Sequence, residues 1–66
     1  MNLADKITAL RRQRGLSQEE LADMLDVTRQ SVSKWEGGQS VPDIQKILQL
    51  SAIFKVSTDY LLKDEE

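Results

Sequence analysis

Residues 18–38 read QEELADMLDVTRQSVSKWEGG and contain two helical patterns of apolar residues joined by a very short link. Each pattern has the spacing of one buried helix face. The link, residues 26–28, is too short for the two helices to pack side by side in antiparallel fashion. The stretch therefore predicts two helices that cross steeply. The apolar positions are Leu21, Ala22 and Leu25 in the first helix and Val32 and Trp35 in the second.

Capping residues set the expected helix boundaries. Ser17 can accept from backbone N–H groups at a helix start, and Glu20 can reach back to the Ser17 N–H to complete a capping box. Thr28 and Ser57 are caps of the same kind, and Pro42 suits the first turn of a helix, where its missing N–H is not needed. The predicted helices cover residues 2–14, 18–25, 29–36, 43–54 and 58–62.

These elements predict an all-α fold, a compact five-helix bundle that contains a helix-turn-helix. We expect one domain at residues 1–62 and an acidic, frayed tail at residues 63–66, because 66 residues support only one small core. Trp35 is expected in that core and not as a base-stacking side chain, because its spacing from Val32 places both on one face. Further expected core residues are Leu3, Ile7, Leu10, Ile44, Ile47 and Leu48.

Composition argues against catalysis. The chain has no histidine and no cysteine, which removes the usual zinc ligands and the commonest general base. Its three glycines, Gly15, Gly37 and Gly38, do not have the spacing of a phosphate-binding loop. We therefore expect no enzyme, no metal and no cofactor. No apolar run approaches the ~20 residues of a membrane span, and no secretory signal is visible, so we expect no membrane partner and a cytoplasmic location.

The distribution of charge keeps a nucleic-acid partner possible. The net charge is −2, with nine basic and eleven acidic side chains. Three of the acids, Asp64, Glu65 and Glu66, lie at the end, so residues 1–63 carry nine bases against eight acids. Arg12 and Arg14 are interpreted as the solvated end of a helix, where positive charge is favourable.

The stretch at 18–38 resembles the helix-turn-helix of the phage-repressor and Cro-like transcriptional regulators, the XRE family. ITALRRQRGLSQEELA at 7–22 is similar to the first helix of that family and its link to the second. SVPDIQKILQLSAIFKVSTDYLL at 40–62 is similar to the last two helices. The family often has glycine where this chain has Asp26, in a left-handed backbone conformation that aspartate tolerates better than most residues.

The resemblance implies that the helix at 29–36 lies in the major groove of DNA. The chemistry fits, because arginine or lysine can bond guanine and glutamine can bond adenine through two hydrogen bonds. By resemblance, the base-contacting residues are Arg29, Gln30, Ser33 and Lys34. The phosphate-contacting residues are Arg11, Ser17, Gln18, Thr28, Gly37, Gly38, Gln39 and Ser40, with the residues of 37–40 using main-chain N–H groups.

The implied function is sequence-specific binding of double-stranded DNA by a transcriptional regulator, expected to be a repressor. We expect a homodimer on an inverted-repeat operator, located at the nucleoid of a prokaryote or phage-infected cell. The dimer contact is expected where apolar residues concentrate in the last two helices, at Ile53, Phe54, Leu61 and Leu62.

Two other functions fit the same fold. An antitoxin or protein-interaction adaptor would be expected to carry a segment that wraps its partner, and the chain has room for one only at residues 64–66. A reader of single-stranded RNA would display aromatic side chains. The three aromatic residues, Trp35, Phe54 and Tyr60, all have buried spacing.

Overall fold

A computed structural model describes residues 1–63, which form five α-helices. The bounds are α1 Leu3–Gln13, α2 Gln18–Leu25, α3 Arg29–Glu36, α4 Ile44–Phe54 and α5 Thr58–Leu62. The all-α prediction is confirmed: each predicted helix is present with its ends within one residue of the expected positions, and the described residues contain no strand. The acidic residues Asp64, Glu65 and Glu66 lie outside the described residues.

The predicted caps explain where the helices begin. Ser17 and Glu20 form the complete capping box, with the Glu20 N–H 3.0 Å from Ser17 Oγ and the Ser17 N–H 2.8 Å from Glu20 Oε1. Thr28 accepts from the Ser31 N–H at 3.2 Å, and Ser57 caps α5 in the same way. These hydrogen bonds satisfy backbone donors that the first turn of a helix leaves without a partner.

The start of α4 differs from the expectation. Pro42 is not in the first turn, because Asp43 is the N-cap and accepts from the Lys46 N–H at 2.9 Å. Pro42 precedes the cap and is buried. The aspartate carboxylate satisfies one of the free N–H groups of the first turn, and this places the beginning of the helix at Ile44.

The link between α2 and α3 turns through a left-handed residue, as the resemblance implies. Asp26 has φ 58° and ψ 44°. Its N–H and that of Val27 donate back to carbonyls of the last turn of α2. Lys55 adopts the same conformation at the end of α4, with φ 57°. At Asp26 the turn ends α2 abruptly, so that α3 can begin two residues after Val27 and pack against α2.

The core lies where α1, α2, α3, α4 and α5 meet. Trp35 is only 7% exposed, which confirms that it packs in the core. The buried apolar residues of the core are Ile7, Leu10, Leu21, Ala22, Leu25, Val32, Trp35, Ile47, Leu50, Phe54 and Leu61.

Two expected core residues of α4 are on its surface. Ile44 and Leu48 are 63% and 55% exposed. α4 instead buries Ile47, Leu50 and Phe54, whose spacing of three and four residues defines one inner stripe. Ile44 and Leu48 lie four residues apart on the neighbouring flank, so the expectation that they are core residues is wrong.

The burial of α4 and α5 also corrects the expected dimer contact. Phe54 and Leu61 are 2% and 1% exposed and belong to the core, so neither side chain is available to a partner. Ile53 is half-buried and Leu62 is exposed.

The three aromatic residues were predicted to be buried. This prediction is wrong at Tyr60, whose side chain is partly exposed.

Lys6 ties α1 to the end of α5. Its side chain is buried, and its Nζ donates to the carbonyl oxygens of Tyr60, at 2.5 Å, and of Lys63. The same ammonium lies 4.9 Å from the centroid of the Tyr60 ring. Lys63, which the sequence placed in the tail, is therefore attached to the bundle. No helix within residues 1–63 has the length and apolar character needed to cross a bilayer.

Candidate nucleic-acid interface

The outer face of α3 presents long polar side chains. Arg29, Gln30 and Lys34 are exposed. On the opposite face Val32 is fully buried and Trp35 nearly so, which fixes the rotation of the helix about its axis. Within residues 1–63, no side-chain hydrogen bond or ion pair holds Arg29, Gln30 or Lys34. Their donors and acceptors are available to another molecule.

Ser33 is half-buried beside these three side chains. The structure thus brings the four predicted base-contacting residues to one side of α3, three of them fully outward. α3 packs against both α1 and α2, so this face is carried by a helix whose back is fixed in the core.

The helix starts carry three of the predicted phosphate-contacting residues. Ser17 and Thr28 are the N-caps of α2 and α3, and Gln18 is the first residue of α2. The cap hydroxyls accept from backbone N–H groups, and the Ser17 hydroxyl hydrogen can still be donated. The Thr28 hydroxyl also shares a hydrogen bond with the Ser31 hydroxyl at 3.1 Å. Both helix starts have the positive end of the helix dipole, which favours an anion.

The α3–α4 loop corrects one prediction. The main-chain N–H groups of residues 37–40 were expected to face a phosphate. Instead the Gly37 N–H donates to Ser33, the Gly38 N–H to Trp35, and the N–H groups of Gln39 and Ser40 to Lys34. The last turn of a helix leaves carbonyls without partners, and these donors satisfy them. The exposed side chains of Gln39 and Ser40 remain available.

Arg11 is held inside the protein by two partners. Its Nε lies 2.7 Å from Glu36 Oε2, its Nη2 lies 3.1 Å from Glu36 Oε1, and its Nη1 donates to the Leu16 carbonyl at 2.7 Å. The Arg11 and Glu36 side chains are only 11% and 6% exposed. The predicted proximity of Arg11 to Glu36 is therefore present.

The pair keeps both groups ionised. Burial acts to raise the pKa of Glu36, but hydrogen bonds from Arg11 and Gln18 and the charge of Arg11 outweigh it, so the pKa lies below its usual value. The hydrogen bond to Glu36 raises the pKa of Arg11, although burial opposes this. The pair therefore adds a positive and a negative charge to the same small region.

Gln18 has a partner that the sequence did not reveal. Its Nε2 donates to Glu36 Oε1 at 3.1 Å. The two residues are 18 positions apart, on different helices, and no local spacing rule connects them. Only the packing of α2 against α3 brings the start of α2 to the end of α3.

A family model of the helix-turn-helix class, HTH_3, matches residues 7–61. The chain belongs to this family. It is 39% identical to the HTH-type transcriptional activator BcrR of Enterococcus faecalis over all of its 66 residues, which is 32% of the length of BcrR. It is 42% identical to the prophage-derived HTH-type regulator YonR of Bacillus subtilis over 59 residues, covering 89% of this chain and 55% of YonR. The chain thus spans about half or less of these relatives.

The repressor protein C2 of Salmonella phage P22 is 32% identical over 63 residues, which is 96% of this chain and 29% of C2. The crystal structure of the P22 c2 repressor in complex with a synthetic operator matches the fold with a TM-score of 0.91 at 31% identity, covering 98% of both chains. The master regulator for biofilm formation SinR in complex with DNA matches with a TM-score of 0.83 at 31% identity, covering 92% of this chain and 98% of that one. The fold is thus that of the repressor-like helix-turn-helix DNA-binding domains.

A more distant relative has another kind of activity. The mycobacterial cidal antitoxin MbcA of Mycobacterium bovis is 29% identical over 66 residues, covering 96% of this chain and 58% of MbcA.

Proposed function

We propose that this chain binds double-stranded DNA at specific sequences and represses transcription, with α3 in the major groove. The observation that carries the proposal is the outer face of α3, where Arg29, Gln30 and Lys34 are exposed and held by no other side chain of residues 1–63. Support comes from the similarity to a repressor whose structure is in complex with operator DNA. A regulator must share a compartment with its DNA, so the proposed location is the cytoplasm, at the nucleoid.

The proposed contacts follow from side-chain chemistry. Arg29 and Lys34 donate to guanine O6 and N7, and Gln30 pairs with adenine N6 and N7. Ser33 is short enough to bond either kind of base edge. Contacts of this type each discriminate against a wrong base by ~1–3 kcal/mol. The proposed backbone contacts, which position the protein without reading sequence, come from the side chains of Arg11, Ser17, Gln18, Thr28, Gln39 and Ser40.

Salt titration tests the proposal. Each phosphate neutralised by a cationic side chain releases counterions, so log affinity should fall against log salt with a slope near −0.9 per phosphate. A duplex obtained by selection and an unrelated duplex of equal length are titrated at several salt concentrations. We expect tighter binding of the selected duplex at every salt concentration. Equal affinity for both duplexes throughout would refute sequence-specific recognition.

We propose repression because a protein bound over a promoter blocks access to it without needing a further contact. The relatives include both an activator, BcrR, and a repressor, C2. A reporter gene with the selected site inside its promoter should be expressed less when the chain is produced. Increased expression from that promoter would show activation instead.

The proposed DNA-bound form is a homodimer on an inverted repeat, because one short recognition helix reads only a few base pairs. The surface for the second copy includes Leu62 and the half-buried Ile53 of the expected contact. The structure adds the exposed pair Ile44 and Leu48 on α4, which packs against α5. Symmetry requires this surface to meet its own copy.

Sedimentation of the protein with and without DNA tests the dimer. Leu48→Glu places a charge on the proposed contact without touching the core, because Leu48 is 55% exposed. Met24→Glu is the matched control, since Met24 is 51% exposed on α2. We expect two copies per selected site and a loss of the dimer only in Leu48→Glu. One copy per site, on a sequence without two-fold character, would contradict the dimer.

The second candidate is an antitoxin, favoured by the similarity to MbcA. Its main partner would be a protein, so the outer face of α3 would not determine its activity. Tight selective binding to duplex DNA that depends on Arg29 and Gln30 favours the repressor.

A further inference from the structure

The end of α3 holds a carboxylate whose two oxygens are occupied by side chains of two other helices. Glu36 Oε2 accepts from Arg11 Nε at 2.7 Å, and Oε1 accepts from Arg11 Nη2 and from Gln18 Nε2, both at 3.1 Å. The Glu36 side chain is 6% exposed. This cluster joins α1, α2 and α3 at one point, and its member from α2, Gln18, is the first residue of that helix.

The cluster determines which way the Gln18 amide faces. An ionised carboxylate only accepts hydrogen bonds, so the NH2 group of Gln18 must face it. The flipped amide would place its oxygen against Glu36 Oε1 in a repulsive contact. One N–H of Gln18 is thus used by Glu36. Within residues 1–63 no other side-chain hydrogen bond uses the second N–H, and Gln18 is half-buried, with part of its surface facing solvent.

Arg11 neutralises the negative charge that Glu36 would otherwise place near a DNA phosphate. An unpaired glutamate near the DNA backbone would repel phosphate. Here Arg11 makes two hydrogen bonds to Glu36, so the pair has no net charge. Glu36 can therefore hold Gln18 without driving away an anion that approaches the second N–H.

We infer that Glu36 is a positioning residue for the DNA-backbone contact of Gln18: it fixes the amide so that one N–H is ready for a phosphate before DNA arrives. This inference rests on the proposed function, in which Gln18 donates to a phosphate. Without Glu36 the Gln18 side chain must lose its rotamer freedom on binding, which lowers affinity by about three- to tenfold.

A double-mutant cycle of DNA affinity tests the inference. The selected duplex is titrated at one salt concentration with the parent, Gln18→Ala, Glu36→Gln and the double variant. Removing a negative charge strengthens DNA binding in both backgrounds, so that effect cancels in the cycle. We expect Gln18→Ala to weaken the selected and the unrelated duplex by similar factors. We expect the effect of Glu36→Gln to be about three- to tenfold less favourable when Gln18 is present than when it is absent.

Two further variants keep the cycle interpretable. Asp23→Asn removes an exposed acid of α2 that does not contact Gln18, and its effect should be the same in both backgrounds. Circular dichroism checks that each variant is folded. If Glu36→Gln unfolds because Arg11 loses its partner, Arg11→Met/Glu36→Met takes its place, since replacing both members of a buried pair by apolar residues is commonly tolerated.

The outcomes distinguish failure of the role inferred for Glu36 from failure of the proposed function. Equal effects of Glu36→Gln in the two backgrounds would show that Glu36 is only structural and overturn the inference, leaving the proposed function intact. Unchanged affinity of Gln18→Ala for every duplex would remove the backbone contact and the inference with it. Failure of the parent to prefer any duplex would instead overturn the proposed function.

Discussion

The two ends of α3 differ in how firmly their side chains are held. At its start, the side chains of Arg29 and Gln30 are exposed and form no hydrogen bond with another side chain of residues 1–63. At its end, Glu36 is 6% exposed and accepts three hydrogen bonds from Arg11 and Gln18. One helix of eight residues therefore combines free side chains with a fixed attachment. We therefore propose that contact with DNA bases and attachment of α3 to the core are assigned to different residues.

The largest expected effect breaks the fixed part. Trp35→Ala should lower the free energy of unfolding by ~3–5 kcal/mol, because it removes the largest side chain of the core and leaves a cavity behind it. That is a large share of the ~5–15 kcal/mol of a typical domain. Urea denaturation measures the loss. A loss below ~1 kcal/mol would show that Trp35 does not hold α3 in place.

Acid should weaken the same end of α3. The pKa of Glu36 is lower in the folded protein than its ordinary value of 4.5, so the folded state binds fewer protons. The stability that this adds is present above the unfolded-state pKa and is lost as pH falls through the folded-state pKa. Denaturation is measured from neutral pH downward for the parent and for Glu36→Gln.

The parent should lose more stability than Glu36→Gln over the acid range. Glu19→Gln, at an exposed acid of α2, is the control and should follow the parent. Parallel curves for the parent and Glu36→Gln would show that the Arg11–Glu36 pair does not contribute to acid stability.

Substitutions at the start of α3 should lower DNA affinity and leave the stability of the fold almost unchanged. Arg29→Ala or Gln30→Ala should each cost ~1–3 kcal/mol of affinity for the preferred duplex and reduce the preference at one or two base pairs of a half-site. The free energy of unfolding should hardly change, because both side chains are exposed. Binding to a panel of single-base variants, with thermal melts, measures both. Arg12→Ala, at an exposed arginine of α1, is the control.

The smallest effect concerns the turn that aims α3. Asp26→Gly should raise the free energy of unfolding by up to ~1 kcal/mol, because a residue at φ 58° is strained unless it is glycine. Asp23→Gly makes the same substitution inside α2 and should lower stability by ~1 kcal/mol. Base preference should be unchanged in both. A loss of stability in Asp26→Gly would mean that the aspartate side chain stabilises the turn.

Local signals explain why most of the fold could be predicted. The caps Ser17, Thr28 and Ser57 each accept from the N–H group three residues away, so their effect is visible in a short sequence window. The spacing of Val32 and Trp35 likewise fixes which side of α3 is buried and therefore which residues face outward. The rotation of the candidate DNA-reading face followed from these two apolar residues.

Tertiary contacts explain what could not be predicted. Ile44 and Leu48 fit a helical apolar pattern as well as Ile47 does, and only the placement of α2 and α5 against α4 decides which flank of α4 is buried. The Gln18–Glu36 hydrogen bond and the Lys6 contacts with Tyr60 and Lys63 join residues far apart in sequence. The N–H groups of residues 37–40 donate to the last carbonyls of α3, which have no partner within the helix. The glycine-containing sequence of this stretch does not indicate these hydrogen bonds.

Selection of bound duplexes from a random DNA pool tests the central claim. The claim is that side chains at the start of α3 recognise the base sequence while the rest of α3 is held in the core. The selection is run in parallel on the parent and on Arg29→Ala/Gln30→Ala, after thermal melts show that both are folded. We predict that the parent enriches a defined half-site, and that the double variant loses sequence preference at some of its positions while still binding duplex DNA. The same enriched sequence from both proteins, with equal preference at every position, would contradict the claim.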